Sequence, residues 1–139
     1  IGAARKVPVV GLESVDEQLR AIASIPDPLA ADMLKTVARG GGLADGGYAT
    51  LLSLYLQKKP AAAMAVLEAA PGVSDAERDV TAELTKRLLA DRNDVMLERA
   101  APLLAKGGAF VAVGALHLSG KRGLVELLRG KGWTMEKVW

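Results

Sequence analysis

At 139 residues the chain is long enough to bury a core as a single domain, and its half-apolar, 24% charged composition excludes an intrinsically disordered polymer. A net charge of +2, with lysines and arginines spread along the chain, gives no electrostatic case for nucleic acid; no window approaches the roughly 20 apolar residues of a membrane span. Cysteine is absent, which excludes disulfides and thiolate metal sites.

The chain opens on isoleucine, and so reads as a processed product or a piece of something longer. Residues 6–12 (KVPVVGL) read as a short strand, with Pro8 favouring an edge or the strand's start. Ser14 followed by Glu17 is a capping box, which predicts a helix to about Ser24 that buries Val15, Leu19 and Ile22. Glu13 then stands at a strand–helix junction. After Pro26-Asp27-Pro28 a second helix carries Leu29, Met33, Leu34 and Val37 and stops at Gly40-Gly41-Gly42.

Tyr48, Leu51, Leu52, Tyr55 and Leu56 follow the helical template closely, and the tyrosines read as core or interface. A further helix spans about Pro60–Ala70, and Pro71-Gly72 breaks it. A second capping box, Ser74 with Glu77, opens a helix with Val80, Leu84 and Leu88; Asp91-Arg92-Asn93-Asp94 interrupts or caps it. The next helix holds Met96, Ala100, Leu103 and Leu104, with a kink or early break expected at Pro102.

Beyond Gly107-Gly108, the run Phe110-Val111-Ala112-Val113 reads as a buried strand. It places His117, the sole histidine, just past a strand's carboxyl end, where α/β sheets gather ligands. A helix carrying Leu124, Val125, Leu127 and Leu128 follows, and residues 133–139 read as a closing strand. The order predicts an α/β fold: a small sheet with several helices inserted between its first and second strands, half of a larger α/β domain. Residues 1–139 form one domain in this reading, with 25–90 as a helical insertion.

The run DRNDVMLERAAPLLAKGGAFVAVGALHLSGKRGLVELLRGKGW resembles the C-terminal half of the TraB/PrgY/GumN family, related to the Tiki metalloproteases. Arg92-Asn93 with Met96 and Arg99, the double glycine, G-x-x-H (Gly114, His117), Gly120 and Gly123-Leu124 carry the likeness. Upstream, Gly11-Leu12-Glu13-Ser14 followed by Gln18 is similar to the family's G-L-E-[TS]…E-Q segment. The resemblance implies a metal-dependent, peptidase-like hydrolase that needs an N-terminal half with its own G-x-x-H. It implies a divalent metal cofactor held in part by His117 and Glu13, and a location in the periplasm or cell envelope. The other function class it implies is a non-catalytic binding or assembly domain connected with cell-surface polysaccharide production.

Glu13, Arg92, Asn93 and His117 are therefore the candidate site residues. His117 and Glu13 would be metal ligands or a base, while Arg92 and Asn93 would orient a carboxylate or bind an anionic group. Each has a plainer reading: a locally hydrogen-bonded histidine, an acid on a helix dipole, and a helix cap. A hydrolase should bring His117, Glu13 and Arg92 to one cleft; a binding module need not. An isolated half would also leave a sheet edge and apolar helix faces uncovered, so the expected partners are the N-terminal half and further copies of the chain.

Overall fold

The computed structural model describes residues 5–38, 47–59, 62–63, 65–66 and 74–138. The Gly40-Gly41-Gly42 stop, the Pro71-Gly72 break and most of the helix expected over Pro60–Ala70 lie outside the described residues.

The elements are α1 (Val15–Ala23), α2 (Asp27–Ala38), α3 (Gly47–Leu56), α4 (Asp75–Thr85), a π-helical turn (Lys86–Ala90), α5 (Asp91–Ala105), α6 (Ala115–Leu118) and α7 (Leu124–Gly130). Both capping boxes form. Glu17 N–H donates to Ser14 Oγ at 3.2 Å while Ser14 N–H donates to Glu17 Oε2 at 2.7 Å; Ser74 and Glu77 repeat the arrangement at the head of α4. Each box satisfies backbone donors that a helix start otherwise leaves open.

The architecture is helical, and the expected α/β fold with its sheet is overturned: no strand or sheet forms among the described residues. Residues 7–12 and 108–114 and the tail 133–138 have no regular secondary structure. Their valines and Phe110 match strand composition, yet a strand exists only through pairing, and neither run pairs with another segment among the described residues. Val9 is 80% exposed and Phe110 93%, so neither run is a buried strand. His117 consequently follows an irregular apolar run and sits in a one-turn helix.

Three further expectations change. Residues 91–94 neither interrupt nor cap a helix: α4, the π turn and α5 are continuous from Asp75 to Ala105. Pro102 does not break α5 early, because it lies in the final turn, where few hydrogen bonds remain to be lost. The stripe Val15, Leu19 and Ile22 is exposed rather than buried, since α1 turns its acidic side to α5.

The core is small. Met96 and Leu97 of α5 and Leu124 of α7 form it, with Leu12, Val113, Leu127 and Leu128 packed around them. α2 packs on α4, α1 on the π turn, and α6 against both the π turn and α7. The irregular runs thus end in the core at Leu12 and Val113, which holds Glu13 and His117, one and four residues further on, beside α5.

Candidate functional site

Four residues of α5 point into the fold: Asn93, Met96, Leu97 and Ala100, at helical spacing i, i+3, i+4, i+7. The first is polar and the most deeply buried of the set, 2% exposed. A buried amide must find partners for two donors and an acceptor, and Asn93 finds all of them. Its Nδ2 donates to the His117 carbonyl at 3.2 Å and to the Arg122 carbonyl at 2.8 Å. Its Oδ1 lies 2.6 Å from His117 Nδ1.

This geometry determines the histidine's proton. Two carbonyls can be satisfied only by the NH2 end of the amide, so Oδ1 is the atom that faces the imidazole. An oxygen acceptor there requires a proton on Nδ1, which leaves the lone pair of a neutral ring on Nε2. Burial lowers the His117 pKa below its ordinary 6.5, and repulsion from Arg92 adds to this against the attraction of Glu13. The ring is neutral at pH 7. His117 N–H donates to Gly114 O at 2.9 Å, closing the single turn of α6, and the ring edge runs past Gly114.

One residue earlier on α5, Arg92 faces the other way, toward the start of α1. Its Nε and Nη2 hold the two oxygens of Glu13 at 2.8 and 2.7 Å, and its Nη1 donates to Leu88 O at 2.9 Å. The Glu13 side chain is 6% exposed and Arg92 22%. The guanidinium's two-pronged hydrogen bond, with desolvation opposing it, holds the Glu13 pKa below the ordinary 4.5. Glu13 is an ionised carboxylate in a charge-assisted, bidentate pair.

The structure thus brings all four expected residues into one neighbourhood, as two coupled pairs: Glu13 with Arg92, and Asn93 with His117. An open groove of about 410 Å3 runs from the Glu13–Arg92 pair between α1 and the π turn, past Glu17, Arg20, Lys86 and Arg87. His117 is not among its lining residues.

Two residues outside the expected four hold the site together. Arg99, seven residues after Arg92 and so on the same face of α5, grips Glu17 at 2.5 and 2.9 Å and the Leu12 carbonyl at 2.8 Å. Arg122 bonds Asp91 at 3.3 Å and also Asp94, while its carbonyl takes the Asn93 amide. The seven-residue spacing of Arg92 and Arg99 was visible in the sequence. No local pattern ties Arg122 to Asp91 and Asp94.

A divalent ion needs about three protein donors. Among the described residues no group of three or more histidines, aspartates and glutamates stands close enough to hold one. His117 Nε2 fits as one donor. Glu13 would have to release Arg92 to become another, and a guanidinium in that position repels a cation. Among the described residues, then, His117 is the donor best placed to take part in holding a metal.

The model of the TraB/PrgY/gumN family matches residues 2–137. No curated protein and no solved structure matches the chain.

Proposed function

The chain belongs to the TraB/PrgY/gumN family, and from that premise we propose that it contributes His117 and Arg92 to a hydrolytic, peptidase-like centre whose other metal-holding groups lie outside its described residues. The observation that supports this reading is the Asn93–His117 bond of 2.6 Å, which leaves Nε2 of a neutral imidazole open. Such a nitrogen takes a proton from an attacking water or donates its lone pair to a divalent ion. The ion, when bound, supplies Lewis acidity and a more acidic water.

Arg92 has two tasks in this reading. It fixes Glu13, and its charge lowers the proton affinity of His117. A guanidinium has five N–H groups; three serve Glu13 and Leu88, which leaves two to polarise a substrate carbonyl or hold a carboxylate. The groove beside the pair is the corresponding approach for an extended substrate.

The test is titration calorimetry with zinc and manganese ions, on this chain and on a longer protein that contains it, each with and without His117→Ala. Uptake by the longer protein that disappears in His117→Ala supports the hydrolytic reading. Equal uptake, or none, in both forms sinks it. What then stands is a non-catalytic binding or assembly domain, a reading favoured by the apolar residues that α1 and the 7–10 run leave exposed, Val9 and Val15 among them.

A further inference from the structure

The Asn93 amide can dictate the His117 tautomer only if its two carbonyl acceptors stay in place. One belongs to His117 itself. The other, Arg122 O, is carried by the turn between α6 and α7, and that turn is unusually tight. Gly123 N–H donates to Gly120 O at 2.9 Å, and Gly120 adopts φ +86°, a conformation that favours glycine. Gly123 approaches the preceding backbone so closely that a Cβ there would lie 2.4 Å from Ser119 O and 2.6 Å from Leu118 O. The turn is also pinned from outside, since the Arg122 side chain bridges Asp91 and Asp94, on either side of Asn93.

We propose that residues 119–123 are a positioning element for His117. The bare backbone of Gly123 lets the turn close, and the closed turn sets the Arg122 carbonyl against Asn93. The amide is thereby held so that Nδ1, not Nε2, carries the imidazole proton. Gly123 and Arg122 are positioning residues that act through Asn93; neither needs to touch a substrate. The inference deepens the hydrolytic reading, because a turn that slips would put the proton on the nitrogen that must stay open.

His117 is the only histidine in the chain, so its ring nitrogens can be read without assignment in a long-range proton–nitrogen correlation spectrum. The spectrum is taken on the full chain with chelator present, at a pH where the ring is neutral. The parent should show one tautomer, protonated at Nδ1. Gly123→Ala should convert it to a mixture of both tautomers, and Arg122→Met should do so in smaller measure. Far-UV circular dichroism confirms that helix content is retained; should Gly123→Ala fail to fold, Arg122→Met decides alone. A parent ring protonated at Nε2, or a pure Nδ1–H ring in the folded variants, overturns the proposal. A parent protonated at Nδ1, with no metal uptake by the longer protein that contains the chain, supports the positioning role while removing the hydrolytic reading, so the two ideas fail separately.

Discussion

The two partners of one ion pair, Arg92 on α5 and Glu13 just before α1, exert opposite influences on one imidazole. Arg92 repels the protonated ring and Glu13 attracts it, so breaking their pair from either side should move His117 in opposite directions. Arg92→Met removes the repulsion and should raise the His117 pKa; Glu13→Gln removes the attraction and should lower it further. A proton-detected pH titration of the single histidine checks both. An unmoved pKa in both variants would mean that burial alone governs the ring. The linkage sign follows from the lowered pKa. As pH falls below 6.5 the unfolded chain takes the proton before the folded one, so His117 costs stability on the acid side and nothing above it.

At the scale of the element, the head of α1 is docked by charge. Arg92 and Arg99 stand two turns apart on α5 and take Glu13 and Glu17 respectively, while the apolar face of α1 stays in solvent. The Arg99 hydrogen bond, helped by the Ser14 backbone, pulls the Glu17 pKa from 4.5 to about 2, and Glu13 is lowered as well. Depressed carboxylate values mean stability that is complete above about 4.5 and is lost as pH falls toward 2. Amide exchange should therefore show α1 losing protection in this acid window before α5 and α7 do. Protection of α1 that persists to pH 2 would show that apolar packing, not the arginines, holds it.

At the scale of the molecule, few side chains carry the packing. Leu124 is 5% exposed and joins Met96 and Leu97 at the centre, whereas Leu56 is 70% exposed. Leu124→Ala should cost about 2–5 kcal/mol, a large share of the roughly 5–15 kcal/mol that stabilises an ordinary domain. Leu56→Ala should stay within about 0.5 kcal/mol. Urea midpoints measure both; equal small losses would show that the Met96–Leu97–Leu124 core is not what holds the fold. No helix among the described residues is long and apolar enough to cross a membrane, in keeping with the sequence.

What depended on neighbours in the chain was legible from the residues alone. Ser14–Glu17 and Ser74–Glu77 announce their helices because a capping box closes over three residues. The helical period of 47–56 and 75–85 likewise needs no distant partner. Glu13, Arg92, Asn93 and His117 stand out as a group only through the family resemblance, and reading 91–94 as a helix break hides the burial of Asn93 within α5. Only the tertiary structure decided how they pair. Hydrogen bonds 24 residues apart for Asn93–His117 and 79 apart for Arg92–Glu13 leave no periodic trace in a sequence. The sheet was misjudged for the same reason: β-branched composition describes a segment's own preference, while a strand is a contract with a second segment, and residues 7–12 and 108–114 meet none among the described residues.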